Sequence, residues 1–157
     1  MSAMAVPDTA GVVAPPPLLY AGTFLAVLVL RRLWPMPILP GGGGLWPGIA
    51  LAVGALIFGS WGRKTLADAG TDVNPYQPTT KIVDRGPYRL TRNPLYVALA
   101  ATYLGLTFAC NSAWGLILFV PLALVMHAGV ILREERYLEG KFGDAYRAYQ
   151  TRVRRYI

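Results

Sequence analysis

Four apolar runs, separated by short polar or glycine- and proline-rich segments, limit what this chain can fold into. They cover residues 18–34, 45–61, 94–110 and 113–132, and each approaches the roughly 20 residues that an α-helix needs to cross a membrane. A mean hydropathy of +0.40 and a charged fraction of 15% also lie outside the range of ordinary soluble domains. We therefore predict an all-α, integral membrane fold with four transmembrane helices.

The connections between these runs predict how the helices are arranged. Only Asn111 and Ser112 separate the third run from the fourth, which forces an antiparallel helical hairpin. Residues 62–92 are predicted to be a long polar loop. After residue 132, apolar and aromatic side chains recur at spacings of three and four, at Leu138, Phe142, Ala145, Tyr146, Tyr149 and Val153. This pattern predicts a C-terminal amphipathic helix, divided near Gly140 or Gly143, that either lies along the membrane surface or folds over the core.

Composition divides the chain into a tail and one domain. Residues 1–16 are rich in alanine, proline and glycine and end in a proline run, which is typical of a flexible N-terminal tail. Residues 17–157 are predicted to form a single membrane domain. The single cysteine, Cys110, excludes an intrachain disulfide or a cysteine-based zinc site.

The distribution of positive charge predicts the orientation in the membrane. All but Arg31 and Arg32 of the 15 lysines and arginines lie in residues 62–93 or in the C-terminal tail. Because cytoplasmic loops carry such an excess, we expect both termini on the cytoplasmic side. These cations flank apolar spans and lack a polar surface that could read a nucleic-acid groove, so membrane lipids and not nucleic acids are the expected partners.

Asn93-Pro94 predicts the start of a helix. An asparagine side chain can accept a hydrogen bond from a first-turn N–H, and proline at the first helical position loses no bond by lacking an N–H. Arginines and Tyr88 precede this start, where free N–H groups favour an anionic ligand group. The same features also describe the cytoplasmic boundary of any membrane protein.

Three ionisable residues near the end of the fourth run are candidates for chemistry. Glu134 and Glu135 emerge on the same face as residues 62–92, and because consecutive helical residues point about 100° apart, one of them is expected to turn inward. An arginine–glutamate interface cluster is the alternative. His127, the only histidine, is either a functional ionisable group or a hydrogen-bonded core residue. One histidine and two adjacent carboxylates do not predict a metal site.

Several motifs in the second half of the chain resemble those of a known family. They are Thr80-Lys81-Ile82-Val83, Gly86-Pro87-Tyr88, Arg92-Asn93-Pro94-Leu95-Tyr96, Glu134-Glu135-Arg136-Tyr137-Leu138, Phe142-Gly143, Tyr146 and Tyr149. Together they resemble the isoprenylcysteine carboxyl methyltransferase family and its phospholipid methyltransferase relatives. The chain resembles a bacterial-type member of this family. The resemblance covers about residues 75–155 and implies a location in a bacterial inner membrane.

The resemblance implies an integral membrane methyltransferase that binds S-adenosylmethionine at the cytoplasmic face and meets a lipophilic or lipid acceptor from the bilayer. The implied cofactor contacts are Thr80, Lys81, Ile82, Val83, Tyr88, Asn93, Pro94, Leu95, Tyr96 and Glu134. The chain departs from the eukaryotic members at Asn93, where they have histidine, and at Val130, where they have a substrate-binding arginine. It also has fewer spans. These departures leave the prenylcysteine acceptor in question.

The chemistry of S-adenosylmethionine agrees with this assignment. Arg92 can hold its carboxylate and Glu134 its ammonium or ribose hydroxyls, while Tyr88, Tyr96 and Tyr146 can form walls for the adenine or sulfonium. A carboxylate or thiolate acceptor needs no general base, whereas an amine or hydroxyl acceptor would need one, for which His127 and Glu135 are the candidates. The alternatives are an NADPH-dependent membrane reductase of the sterol-reductase type and a non-enzymatic membrane scaffold.

Overall fold

A computed structural model describes residues 9–71 and 77–157, which fold into helices and contain no β-strand within these ranges. The helices are α1 (Pro16–Leu33), α2 (Leu45–Asp68), α3 (Pro94–Ala109), α4 (Ala113–Met126), α5 (Leu132–Phe142) and α6 (Asp144–Arg152), and a π-helical segment, His127–Ile131, joins α4 to α5. Short 3-10 turns occupy Pro40–Gly42 and Gly86–Arg89. The all-α prediction is confirmed. Residues 1–8 of the predicted tail and 72–76 of the predicted loop lie outside the described ranges.

Three helices of the described chain are long and apolar enough to cross a membrane. They are α1, α2 and the continuous 30-residue helix Ala113–Phe142 that α4, the π-helical segment and α5 form together. The remaining predicted span, α3, is apolar but has only 16 residues. The described chain therefore has three candidate membrane spans, and a crossing by α3 stays a prediction.

Helix α2 extends further than the sequence indicated. It continues through residues 62–68 of the predicted loop and ends where the Thr71 N–H donates to the Leu66 carbonyl at 3.2 Å. Lys64 and Asp68, one turn apart, form an exposed ion pair at 3.4 Å that supports this last part of the helix. The polar composition of residues 62–68 is thus that of a solvated helix end and not of a loop.

Two connections meet at one end of the helices. The Asn111 side-chain oxygen accepts the N–H groups of Ile38 and Leu39 at 3.0 and 2.8 Å, and the Trp114 indole donates to the Trp34 carbonyl at 2.8 Å. The α1–α2 connection therefore lies against the α3–α4 turn, and the predicted antiparallel hairpin of α3 and α4 is confirmed. Consequently, the end of α2, the start of α3 and the end of α4 lie together at the opposite end.

Helices α2 and α3 pack backbone to backbone. A Cβ atom added at Gly105 would lie 2.6 Å from the Ala52 nitrogen and 2.7 Å from the Gly48 carbonyl oxygen. Only glycine permits this approach, which is a common way for membrane helices to pack. The contact fixes the start of α3 relative to the end of α2.

The apolar core lies between α1, α3 and α4 and is centred on Tyr103, which is 2% exposed. The Tyr103 ring contacts Tyr20, Phe24 and Phe119 with centroids about 6 Å apart, and its hydroxyl donates to the Gly115 carbonyl at 3.0 Å. This core joins α1 to the hairpin and leaves the far end of the bundle free for polar residues.

The segment after α4 has one of the two arrangements that the sequence predicted. Helix α5 continues α4 through the π-helical segment, and the break falls at Gly143, whose φ of +52° strongly favours glycine. The chain then turns back, and Tyr146, Tyr149 and Val153 form a buried cluster against Ile82. Of the two predicted arrangements, the structure has the tail folded over the core.

Residues 9–15, part of the segment predicted to be a tail, contact the helices. The Val13 N–H donates to the Gly129 carbonyl at 3.2 Å, and the Arg133 side chain donates to the Gly11 carbonyl at 2.8 Å. Val12 is 7% exposed. These contacts hold the segment against the π-helical segment and the start of α5, because its apolar residues find a partner there.

Candidate active site

A cavity of about 900 Å³, measured to include its open mouth, lies where the ends of α2, α3 and α5 meet. Its lining combines three segments that are far apart in the sequence: residues 79–96, residues 134–138 and α6. The lining residues are Ala10, Leu66, Thr71, Thr79, Lys81, Ile82, Val83, Tyr88, Arg92, Asn93, Pro94, Leu95, Tyr96, Glu134, Glu135, Tyr137, Leu138, Tyr146 and Tyr149. The predicted convergence of the loop before α3 with the glutamate pair is therefore present in the fold.

Arg92 is the buried cation of this cavity. Its side chain is 10% exposed, and one terminal nitrogen, Nη2, lies 3.3 Å from Oε1 of Glu135. The other two nitrogens, Nε and Nη1, are buried without a hydrogen-bond partner in residues 9–71 and 77–157. Leaving a charged donor unsatisfied in a buried position is costly, so this guanidinium is suited to receive an anionic group.

Glu134 is the second polar group of the cavity. Its Oε1 accepts the Tyr96 hydroxyl at 2.5 Å, which ties the start of α5 to the first turn of α3. Glu134 lines the cavity. The other oxygen of its carboxylate is suited to accept a hydrogen bond from a ligand.

Both glutamates line the cavity, as expected for two residues of the predicted site, although helical spacing alone required only that one of them turn inward. The π-helical segment His127–Ile131 precedes them and adds about one residue to the helix. The faces of all later residues are therefore rotated by about 100° relative to a continuous α-helix. A regular helix drawn from the sequence does not show this rotation.

Glu135 is held between two arginines. Arg155 donates from Nε to Oε1 and Oε2 at 3.0 and 3.1 Å and from Nη2 to Oε2 at 2.8 Å, while Arg92 approaches Oε1. The Glu135 side chain is 9% exposed. Pairing with Glu135 raises the pKa of Arg155. The cluster is an ion-pair network at the cavity wall, in which Arg92 and Glu135 are buried and Arg155 is partly exposed.

The helix start at Pro94 is confirmed, but its cap differs from the prediction. Asn93 precedes α3 and makes no side-chain capping bond within the described chain. Its amide donates to the Arg155 carbonyl at 3.0 Å, and the Thr91 hydroxyl donates to the same carbonyl at 3.0 Å. The asparagine therefore binds the C-terminal segment instead of the first turn, because that segment brings a carbonyl within reach.

Tyrosines form the aromatic wall. Tyr146 and Tyr149 are 2% and 4% exposed, and the Tyr149 hydroxyl donates to the Tyr88 carbonyl at 2.7 Å. Burial raises the pKa of Tyr146 to about 12, with the nearby Glu135 carboxylate adding to it. Burial also raises the pKa values of Tyr88 and Tyr149. All three are neutral phenols near pH 7, so they offer uncharged ring faces to a ligand.

Two residues of the predicted site do not line the cavity. Thr80 binds the end of α2, donating its hydroxyl to the Gly70 carbonyl at 3.1 Å. His127 lies in the π-helical segment, with Nδ1 2.7 Å from the Tyr156 hydroxyl. The other twelve predicted site residues line the cavity.

The sequence reasoning missed the contribution of the chain ends. Arg155 is one of three arginines among residues 152–155, and neither spacing nor type distinguishes it from Arg152 and Arg154. Ala10 lines the cavity although its segment reads as a tail. Tyr149 and Leu138 could have been included, because both belong to the motifs that already contain Tyr146 and Glu134.

Together, these features define a helical membrane protein with a polar, aromatic-walled cavity at one end, built by the loop before α3 and the chain after α4. The chain belongs to the phospholipid methyltransferase family, whose model matches residues 44–145. That range contains the α2–α3 contact, the loop before α3 and both glutamates. The predicted resemblance is therefore confirmed.

Comparison with individual proteins adds one relative. A Haemophilus influenzae protein described as uncharacterized is 42% identical over 66 residues, which are 40% of this chain and 100% of that protein. No solved structure matches the chain significantly. The match therefore adds no activity.

Proposed function

We propose that the protein is a membrane methyltransferase that uses S-adenosylmethionine and transfers its methyl group to a lipid or other lipophilic acceptor. The observation that carries the proposal is the Arg92 guanidinium, buried in the cavity wall with two nitrogens unpaired in the described chain. Membership of the phospholipid methyltransferase family supports the reaction class.

The cavity residues fit the chemistry of this cofactor. Its amino-acid end carries a carboxylate, which suits Nε and Nη1 of Arg92, and an ammonium, which suits the Glu134 carboxylate. Its adenine and sulfonium suit the faces of Tyr88, Tyr146 and Tyr149.

The residues of the chain would act mainly by positioning and by excluding water. S-adenosylmethionine supplies a methyl group on a positively charged sulfur, so its transfer depends chiefly on alignment with the acceptor. Arg92 and Glu134 fix the polar end of the site, and the buried tyrosines keep water out of the rest. The neutral state of Tyr146 also prevents it from competing as an acceptor, because a phenol is a weak nucleophile.

A general base is not assigned. Both carboxylate oxygens of Glu135 already pair with arginines, which supports a holding role for it. His127 lies outside the cavity lining and contacts Tyr156. We therefore favour an acceptor that reacts in an already deprotonated form, such as a carboxylate or thiolate, and the roles of His127 and Glu135 as bases stay predictions.

We infer the class of acceptor and the orientation of the protein in the membrane from the position of the cavity. Apolar side chains of Leu66, Leu95 and Leu138 share its lining with the polar groups, and the helices around it include three candidate membrane spans. A lipophilic acceptor can reach such a site between helices. We propose that the cavity faces the cytoplasm, since most lysines and arginines lie at its end of the molecule.

The test of this proposal is a thermal-shift and calorimetric titration of the full chain in detergent. We expect S-adenosylmethionine and S-adenosylhomocysteine to raise the midpoint of unfolding and to bind in one-to-one stoichiometry, because a ligand that binds only the folded state stabilises it. NADPH should give no shift. A shift with NADPH alone would favour the reductase, and no shift with either ligand would favour a scaffold.

A further inference from the structure

The C-terminal segment, residues 153–156, is fastened to the cavity wall by both its backbone and its side chains. The Arg154 carbonyl accepts the Arg92 N–H at 2.9 Å, and the Arg155 carbonyl accepts from Thr91 and Asn93 at 3.0 Å each. The Tyr156 hydroxyl lies 2.7 Å from His127. Arg155 is thereby placed directly beside the residues that line the cavity, although it does not line the cavity itself.

The Glu135 carboxylate is shared unequally between the two arginines. Arg155 approaches both of its oxygens, the shortest contact being 2.8 Å, whereas Arg92 approaches one oxygen with one nitrogen at 3.3 Å. An arginine and a carboxylate pair most strongly through two parallel bonds. The contacts of Arg155 with Glu135 are close to that two-bond geometry. Arg92 is left with two nitrogens unpaired in the described chain.

We propose that Arg155 is a positioning residue that keeps Arg92 available for the cofactor by occupying Glu135. Without Arg155, the Glu135 carboxylate can turn to Arg92 and form the two-bond pair with it. Arg92 would then be neutralised by its own neighbour, and an incoming carboxylate would have to displace Glu135. The inference rests on the proposed function, in which Arg92 receives the cofactor carboxylate.

The test measures binding of S-adenosylhomocysteine by calorimetry to the full chain in detergent. Arg155→Met removes the guanidinium and keeps most of the side-chain volume. We expect the Kd to rise about tenfold, the size typical of losing one hydrogen bond to a charged group. Arg155→Lys keeps the charge but not the two-bond geometry, so its Kd should lie between those of the wild type and Arg155→Met. Arg152→Met, which removes a neighbouring exposed arginine paired with Asp84, is the matched control and should bind like the wild type.

A second substitution separates this mechanism from a merely structural role. In Arg155→Met/Glu135→Gln, the amide competes for Arg92 less strongly than the carboxylate does, so binding should recover to within about threefold of the wild type. A simple loss of fold would instead make the double variant weaker than the single one. The unfolding midpoint of each variant without ligand provides the comparison.

The outcomes are distinct for the two proposals. If the wild type does not bind S-adenosylhomocysteine, the proposed function fails. If the wild type binds and Arg155→Met binds equally well, or if Glu135→Gln does not restore binding to Arg155→Met, the positioning role of Arg155 is wrong while the proposed function stands. If Arg155→Met does not fold, Arg155→Lys with and without Glu135→Gln provides the same comparison.

Discussion

Replacing Arg92 by methionine is expected to weaken binding of S-adenosylhomocysteine by about 100-fold or more. The substitution removes a buried cation with two nitrogens that have no partner in the described chain, and hydrogen bonds between charged groups contribute about 1.5–3 kcal/mol each. Arg155 continues to pair with Glu135 in this variant, so the protein should fold. Calorimetry and the unfolding midpoint without ligand measure the two effects separately.

Arg89→Met is the control for this prediction. Arg89 belongs to the same loop and is exposed, with its Nε 3.3 Å from the Asp84 carbonyl. It carries the same charge as Arg92, so its loss reports any general electrostatic effect on an anionic ligand. Equal losses of affinity in the two variants would show that Arg92 has no special role. Arg92→Lys should recover only part of the affinity, because an ammonium lacks the planar fork of the guanidinium.

Replacing Glu134 by glutamine is expected to weaken binding about 10- to 100-fold, because an amide keeps the size of the carboxylate but loses its charge-assisted bond to the ligand ammonium or ribose. Methyl transfer at low cofactor concentration should fall by the same factor. Glu134→Ala should abolish detectable binding while leaving the protein folded in detergent. A titration of each variant with S-adenosylhomocysteine measures the loss.

Two controls accompany the Glu134 variants. Glu139→Gln removes a glutamate from the same helix that pairs with Arg147 at an exposed position, and we expect it to bind like the wild type. Tyr96→Phe removes the hydroxyl that donates a hydrogen bond to Glu134. It should weaken binding less than Glu134→Gln does, since it affects only the orientation of the carboxylate. Unchanged binding by Glu134→Gln would remove Glu134 from the site.

The residue pattern predicted the elements that depend on local chemistry. Pro94 begins α3, and the two residues Asn111 and Ser112 turn the hairpin, because proline at a helix start and a very short connection each permit few alternatives. The hairpin then brings the loop before α3 to Glu134, so much of the cavity lining followed from topology. The motifs of the family added the identity of the residues.

The features that the sequence did not predict depend on contacts between distant segments. Asn93 binds the Arg155 carbonyl instead of capping α3, and the π-helical segment His127–Ile131 rotates the start of α5, which carries Glu134 and Glu135. Neither has a local signature, because each is set by what packs against it. The same holds for Val12 and Gly11, which the composition assigns to a tail and the fold places against α5 and the π-helical segment.

The most direct measurement is an experimental structure of the full chain with S-adenosylhomocysteine. Our account predicts that the ligand occupies the cavity between the loop before α3 and the start of α5. Its carboxylate should lie within hydrogen-bonding distance of Arg92 and its ammonium or ribose within reach of Glu134. A ligand bound elsewhere, or one in this cavity that contacts neither Arg92 nor Glu134, would contradict the account.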